Sequence, residues 1–303
     1  MNFSESSNQK ITIQNTTVSL YIKREDLLHP LISGNKFRKL KYNLAQAKKE
    51  NKKTLLTFGG AFSNHILAVA SAGNEYGFAT IGIIRGEELK DKVADNPTLK
   101  KAQDLGMEFE FVSRASYREK TSPEFSATLS ERFGDFYLIP EGGTNSLAIK
   151  GCEEILTEAD QKFDYICCSV GTGGTIAGII NCSKGSQQVL GFPALKGDFL
   201  REDICKFASK SNWDLITDYH FEGYGKVSEE LVRFINEFYQ IHKILLDPIY
   251  TGKMMFGVLD LIRKDYFPKK SKILVVHTGG LQGIAGINKV LKQKKQLEIY
   301  CND

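Results

Sequence analysis

The chain has 303 residues, of which 42% are hydrophobic and 25% charged. This is the composition of a folded protein with a substantial core, in one large or two modest domains. Its 40 basic and 36 acidic side chains leave a formal charge of +4, which excludes a polybasic nucleic-acid binder, and the apolar content excludes a disordered tail protein or a collagen-like fibre.

Nothing in the composition indicates a membrane or metal protein. The first 20 residues are polar, and no apolar run reaches the roughly 18 residues that a membrane-spanning helix requires. The six cysteines form no C-x-x-C pair, and the five histidines lack the spacing of a metal site. We therefore expect a cytoplasmic protein with reduced thiols, without a metal, that contacts neither membranes nor nucleic acid.

Short β-branched runs alternate with amphipathic stretches along the chain. Buried strands are predicted at 54–58, 79–84, 108–112, 136–139, 165–170, 189–192, 244–246 and 273–276. Helices are predicted at 37–49, 66–75, 98–105, 124–132, 147–159, 175–182, 229–242, 254–264 and 282–291. This repetition of strand, turn and helix predicts an α/β fold of parallel sheets covered by helices.

Glycine clusters follow four of the predicted strands, at 59–60, 142–143, 171–174 and 279–280. Ligands of open parallel sheets bind at the carboxyl ends of the strands. We therefore expect the functional residues in these turns.

The run V-G-T-G-G-T-I-A-G at 170–178 joins a predicted strand to a predicted helix. Successive backbone N–H groups at a helix N-terminus bind anions, so this loop is a candidate phosphate cradle. Ile176 stands where a dinucleotide fingerprint requires glycine, and no Walker A lysine follows. A tight structural turn is the alternative interpretation.

Two other turns carry candidate reactive groups. Lys36 falls in the first turn of a predicted helix, where the helix dipole lowers its pKa towards that of a Schiff-base nucleophile, although most lysines are simply solvated. Ser63 and Asn64 precede the helix predicted at 66–75, where they either cap the helix or help to bind a carboxylate. Taken alone, the segments 247–253 and 277–283 are more typical of structural turns than of functional sites.

Taken together, these segments resemble one family, the 1-aminocyclopropane-1-carboxylate (ACC) deaminase and D-cysteine desulfhydrase group of fold type II pyridoxal-phosphate enzymes, which are similar to tryptophan synthase β. The resemblance covers nearly the whole chain. It rests on KRED at 23–26, SGNKFRKL at 33–40, GGAFSNH at 59–65, PEGGTN at 140–145, GTGGT at 171–175, DPIYTGK at 247–253 and HTGG at 277–280.

The resemblance implies pyridoxal 5'-phosphate as the cofactor, and it implies roles for individual residues. Lys36 would bind the cofactor covalently and move protons, and Asn64 would hydrogen-bond its ring oxygen. Thr251 and Thr278 would lie near its pyridine nitrogen. The phosphate would be held by Gly171, Thr172, Gly173, Gly174 and Thr175.

The same resemblance implies a substrate site. Ser63 would hold the carboxylate of a small amino acid, with Asn64 and His65 beside it. Tyr250 and Tyr224 would be the two active-site tyrosines. Phe62 departs from the family, which usually has glutamine there, and would make the pocket more apolar.

The family fold has two open parallel-sheet domains with the cofactor in the cleft between them. It implies a large domain of residues 1–47 and 144–303, an inserted smaller domain of residues 48–143, and a homodimer. Thr251 stands where ring-opening deaminases have glutamate, so β-elimination from a substrate such as D-cysteine is expected first. The alternatives are ACC ring opening or another amino-acid reaction, and a pyridoxal-phosphate- or nucleotide-binding protein without catalysis.

Overall fold

The computed structural model describes residues 6–197 and 199–300. Its strands are β1 Asn8–Ile11, β2 Ser19–Lys23, β3 Thr54–Gly59, β4 Ala79–Arg85, β5 Met107–Val112, β6 Tyr137–Ile139, β7 Tyr165–Val170, β8 Gln188–Pro193, β9 Trp213–Leu215 and β10 Lys272–Val276. Its α-helices are α1 Asn35–Lys49, α2 Asn64–Tyr76, α3 Pro97–Asp104, α4 Arg114–Arg118, α5 Pro123–Phe133, α6 Ser146–Cys152, α7 Gly174–Cys182, α8 Phe199–Cys205, α9 Glu229–His242, α10 Thr251–Arg263 and α11 Ile284–Gln293.

The strands form two sheets. One has six strands in the order β1-β2-β10-β7-β8-β9, and the other has four in the order β5-β4-β3-β6. Every strand pair is parallel except β1 with β2. The predicted α/β fold with two open parallel sheets is confirmed. The four-stranded sheet lies within residues 54–139, and the domain boundaries at 48 and 143 stay a prediction.

The core of the six-stranded sheet lies on both of its faces, as expected for parallel strands covered by helices. Alternate residues of β10 show this directly. Ile273 and Val275 pack in the cluster that contains the apolar residues of α9 and α10, and Leu274 and Val276 pack with those of α7. The strand therefore reads as a continuous apolar run, which made it recognisable in the sequence.

Two predicted elements are wrong. Residues 244–246 form no strand, although Ile244 and Leu246 are buried in the core beside α9 and α10. The helix predicted at 147–159 ends at Cys152. The strands β1, β2 and β9 and the short helices α4 and α8 were not predicted. An apolar run in the sequence predicts that a segment is buried. It does not predict whether the backbone pairs with a neighbouring strand.

The described cysteines are free thiols, and most of them are buried. Among the described residues no disulfide forms, Cys152, Cys167 and Cys168 are buried, and Cys205 is exposed. Cys301 lies outside the described residues. Of the helices in the described part of the chain, none has the length and apolarity required to cross a membrane.

A buried ion pair ties β2 to the segment that precedes β7. The Nζ atom of Lys23 donates to Oδ2 of Asp160 over 2.8 Å, and both side chains are about 1% exposed. Asn8 and the backbone of Thr157 also donate to this carboxylate. Burial alone would raise the pKa of Asp160, but these hydrogen bonds outweigh it and hold the pKa below its ordinary value.

We predict that Asp160→Asn lowers the free energy of unfolding by about 3–5 kcal/mol, because it leaves the Lys23 ammonium buried without a counter-charge. In the parent, this stabilisation is present at neutral pH and is lost as the pH falls towards the lowered pKa of Asp160. Urea unfolding measures both effects. Glu229→Gln, which breaks an exposed pair with Arg233, is the control and should have no measurable effect. Equal losses in both variants would contradict the prediction.

Candidate active site

A cavity of about 580 Å³ lies at the carboxyl ends of strands from both sheets. Its lining includes residues at or after the ends of β3, β4, β6, β7 and β10, residues of the first two turns of α1, and the side chains of Tyr224 and Tyr250. Of the site residues predicted from the sequence, it brings together Lys36, Ser63, Asn64, His65, Gly171, Thr172, Gly173, Thr175, Tyr224, Tyr250 and Thr278. Gly174 and Thr251 do not line it.

The start of α1 positions Lys36. Gly34 precedes the helix with a φ of +61°, and a Cβ there would lie 2.0 Å from the carbonyl oxygen of Thr278. Only glycine therefore allows this close approach of the two turns. The backbone N–H of Asn35 donates to the same carbonyl over 3.3 Å. Lys36 is thus held against the turn that follows β10.

The environment of Lys36 disfavours its charged form. Burial lowers its pKa from 10.5 to about 7, and the nearby charge of Lys39 acts in the same direction. Among the described residues no carboxylate lies within ion-pairing distance of its Nζ atom. A substantial fraction of the amine is therefore neutral and nucleophilic at neutral pH.

Lys39 is a site residue that the sequence analysis missed. It lies one helical turn after Lys36, is 1% exposed, and lines the cavity. Its Nζ atom donates to the carbonyl of Gly142 and to Oγ1 of Thr144, each over 2.9 Å. Its i+3 spacing from Lys36 was the available signal, because residues three apart lie on one face of a helix.

The loop after β7 has the geometry of an anion cradle. Gly173 has a φ of +79°, and α7 begins at Gly174. A Cβ at Gly174 would lie 2.8 Å from Oγ1 of Thr144 and 3.2 Å from Nζ of Lys39. The loop therefore brings the N-terminus of α7 next to a buried cation, and it does so without room for a side chain at 174.

The turn after β3 combines a helix cap with polar atoms that have no protein partner. Ser63 is the N-cap of α2, and its Oγ atom accepts from the backbone N–H of Ile66 over 3.3 Å. Capping uses only the oxygen, so the hydroxyl proton stays available to a ligand. Among the described residues, the buried atoms Asn64 Oδ1 and His65 Nδ1 have no hydrogen-bond partner.

His65 is neutral in this setting. Burial, together with the charges of Lys36 and Lys39, holds its pKa well below the ordinary value. Its Nε2 atom lies 2.8 Å from Oγ1 of Thr57, and that hydroxyl donates to the carbonyl of Ile139. The hydroxyl has one proton, so Nε2 must donate and Nδ1 is an acceptor.

Two tyrosines form one wall of the cavity. The rings of Tyr224 and Tyr250 pack edge to face with their centroids 6.1 Å apart. Burial, the Tyr224 hydroxyl and Asp247 hold the pKa of Tyr250 well above its ordinary value. The hydroxyl of Tyr250 therefore stays protonated near neutral pH and can donate a hydrogen bond.

Thr251 does not line the cavity, and its expected place near the pyridine nitrogen stays a prediction. It is fully buried, and its hydroxyl donates to Oδ2 of Asp247 over 2.7 Å, within the turn that precedes α10. A glutamate at this position would lie beside a second carboxylate. Thr278 does line the cavity, 3.1 Å from the hydroxyl of Ser169, which the sequence analysis missed.

Phe62 lines the cavity, as the resemblance implies, but its ring also contacts α11. A Cβ at Gly286 would lie 2.5 Å from this ring. The ring is 42% exposed, so it borders the cavity and does not fill it.

The residues present fit pyridoxal phosphate. The cofactor needs an amine of lowered pKa, a phosphate cradle and polar groups around its ring. Lys36 meets the first requirement, and the glycine loop with Lys39 meets the second. The partnerless Asn64 and His65 atoms and the paired hydroxyls of Ser169 and Thr278 meet the third.

Comparison with known proteins agrees with this fit. A putative ACC deaminase of Thermotoga maritima is 33% identical over 289 residues, which cover 88% of this chain and 90% of that protein. The bifunctional D-cysteine desulfhydrase/ACC deaminase of Arabidopsis thaliana is 32% identical over 88% of this chain and 73% of its own length. A crystal structure of an ACC deaminase homologue superposes with a TM-score of 0.82 at 28% identity, covering 96% of this chain and 94% of that one.

The family profile described as pyridoxal-phosphate dependent enzyme matches residues 9–279, which is most of the chain. The cofactor inferred from the sequence is thereby confirmed. This chain belongs to the family of pyridoxal-phosphate-dependent enzymes.

Proposed function

We propose that this enzyme removes a leaving group from the β-carbon of a small amino acid, as a D-cysteine desulfhydrase does. The observation that carries the proposal is the pair of neutral hydroxyls, Ser169 and Thr278, in a cavity whose carboxylates are engaged elsewhere. Glu88 is paired with Arg114, and Glu141 accepts from Tyr117 and lies 3.3 Å from Lys120. These are the acidic residues among the described cavity lining.

Lys36 is proposed to hold the cofactor and to move the proton at Cα. When bound, pyridoxal phosphate supplies an electron sink for the charge left on Cα after deprotonation. A lysine with a pKa of about 7 accepts and returns a proton near neutral pH without a large energetic cost in either direction. The cation of Lys39 and the N-terminus of α7 would hold the phosphate.

Ser63 and the first turn of α2 are proposed to orient the substrate. The Ser63 hydroxyl proton and the N-terminal N–H groups of the helix are suited to a carboxylate. Asn64 would hydrogen-bond the cofactor ring oxygen through its amide N–H2 group, and His65 would lie beside it in the cavity lining.

The protonated tyrosines are proposed to stabilise the leaving group. Tyr250 keeps its proton because of its raised pKa, so it or Tyr224 can stabilise a departing thiolate by donating a hydrogen bond. With D-cysteine, the Cα–H and Cβ–S bonds break and sulfide leaves. Water then hydrolyses the resulting enamine to pyruvate and ammonia.

The neutral hydroxyls of Ser169 and Thr278 favour this reaction over ring opening. A hydroxyl stabilises a protonated pyridine less than a carboxylate does, so it supports a weaker electron sink. A good leaving group still departs under these conditions, whereas an unactivated cyclopropane opens slowly. The apolar ring of Phe62 at the edge of the cavity favours the binding of a small or apolar substrate.

ACC ring opening is the second candidate. Relatives such as the Thermotoga maritima protein are named putative ACC deaminases, and the Arabidopsis thaliana enzyme is named for both activities. The two candidates share the cofactor and Lys36 and differ in the bond that breaks.

We also propose a homodimer of two-domain subunits in the cytoplasm. The inserted smaller domain would comprise residues 48–143, and residues 1–47 and 144–303 would form the larger one. The family resemblance supports the dimer, and the free thiols of the described cysteines support a reducing compartment. Light scattering of the purified protein tests the oligomeric state.

Substrate selectivity is the first test. We predict pyruvate from D-cysteine or β-chloro-D-alanine, and no measurable 2-oxobutyrate from ACC under the same conditions. A keto-acid assay over D- and L-amino acids and ACC measures this, with Lys36→Ala as the inactive control. Efficient release of 2-oxobutyrate from ACC by the parent protein would put ring opening first.

Cofactor retention tests the proposed cradle. We predict that Gly174→Ala lowers pyridoxal-phosphate affinity by about tenfold or more, because the new methyl group meets Thr144 and Lys39 where the phosphate would lie. Gly185→Ala is the matched control, since a Cβ there meets nothing within 4 Å. Titration of each apoprotein with the cofactor gives the affinities. An unchanged affinity in folded Gly174→Ala would exclude this cradle.

A further inference from the structure

The loop that carries Tyr224 has an unusual backbone. Phe221 and Glu222 have φ values of 49° and 62°, and Gly223 and Gly225 have values of 110° and 73°. Residues with a Cβ rarely adopt this region, and two in succession are held only when the surroundings fix them. We refer to residues 220–225 as the Tyr224 loop.

Lys253 holds this loop. Its Nζ atom donates to the carbonyl of His220 over 2.9 Å and to that of Gly223 over 2.8 Å. These two carbonyls flank the strained residues Phe221 and Glu222. Lys253 is 2% exposed, and among the described residues no carboxylate lies within ion-pairing distance of it. One ammonium therefore fixes both ends of the strained stretch.

Lys253 also connects the loop to the other active-site tyrosine. It lies in the first turn of α10, and Tyr250 is the residue that precedes this helix. The carboxylate of Asp247 fixes the same turn by accepting from the backbone N–H groups of Ile249, Tyr250 and Thr251. The helix end that places Tyr250 thus also places Lys253, and through it the loop.

Tyr224 contacts Tyr250 on the cavity side. Its side chain is 48% exposed, its ring packs edge to face on that of Tyr250, and the two hydroxyl groups interact. The position of its hydroxyl therefore depends on this contact and on the backbone of the loop. A buried ammonium is costly, and burial lowers the pKa of Lys253 to about 8 while Asp247 raises it. A neutral apolar side chain would fill this space at lower cost but would leave the two carbonyls unpaired.

We propose that Lys253 is a positioning residue that fixes the Tyr224 hydroxyl against Tyr250 in the cavity. The expected loss of turnover on removing Lys253 rests on the proposed function, whereas the expected loosening of the Tyr224 loop does not. In this arrangement Lys253 touches neither the substrate nor the cofactor and acts through Tyr224.

Two measurements test the proposal. The first is hydrogen exchange of peptides that cover 219–226 in the holoenzyme. Lys253→Met should raise exchange in this loop by about tenfold or more and leave the peptides of β7 and β10 unchanged. Lys206→Met, which removes an exposed lysine on a different element, is the matched control and should alter neither.

The second measurement is a double-mutant cycle in kcat for the substrate that the parent turns over best. Lys253→Met should lower kcat about tenfold or more in the parent, and less than about twofold in a Tyr224→Phe background, because the hydroxyl that it positions is then absent. A lysine that only stabilised the fold would give the same loss in both backgrounds.

The outcomes are distinct. Unchanged loop exchange in folded Lys253→Met, or equal losses of kcat in both backgrounds, overturns the proposal. If the parent turns over none of the tested amino acids, the proposed function fails and the exchange measurement still decides the role of Lys253. Should Lys253→Met not fold, Lys253→Ala, which likewise removes the donor to both carbonyls, undergoes the same measurements with the same criteria.

Discussion

Two buried lysine side chains lie one turn apart at the start of α1, and no carboxylate of the described residues pairs with either. Burial lowers the pKa of both Lys36 and Lys39, and the charge of Lys39 lowers that of Lys36 further. The N-terminus of α1 adds its positive dipole end. Such an arrangement is costly unless an anion shares the cavity, and a phosphate beside Lys39 and the glycine loop meets this need. Burial, with a further contribution from the charge of Lys39, lowers the pKa of Lys36 to about 7 and keeps part of this amine neutral near neutral pH.

The frame around these lysines is rigid because backbone segments approach each other closely. A Cβ at Gly34 would lie 2.0 Å from the Thr278 carbonyl oxygen, and one at Gly151 would lie 1.9 Å from that of Arg38. Arg38 in turn makes two hydrogen bonds to the fully buried Glu25, over 2.8 and 3.0 Å. Helix α1 is thereby fixed on both sides. The Tyr224 loop is held differently, by the buried Lys253 ammonium, by the packing of Phe221 on Phe256 and by a backbone hydrogen bond from Gly223 to His220.

Much of this arrangement was predictable because strands, glycine turns and helix starts recur in fixed order. Lys36, Ser63, Tyr224 and Tyr250 all line the cavity, and the GTGGT turn lies where the sequence predicts it. Their roles in binding and catalysis stay predictions.

The errors have physical causes. Lysines are usually solvated, so sequence alone gave Lys39 no particular weight. The Thr251 hydroxyl donates to Asp247, and this residue does not line the cavity, so its role near the cofactor stays a prediction. The run 244–246 is apolar because it is buried, and it pairs with no strand.

The central claim is that Lys36 is the lysine that binds pyridoxal phosphate. Borohydride reduction of the holoenzyme followed by peptide mass spectrometry tests it most directly, since reduction makes the lysine–cofactor bond permanent. We predict a pyridoxyl group on the peptide that contains Lys36, localised by fragmentation to that residue and not to Lys39. A pyridoxyl group on Lys39 or on any other lysine, or its absence from a preparation that retains the cofactor, would contradict the account.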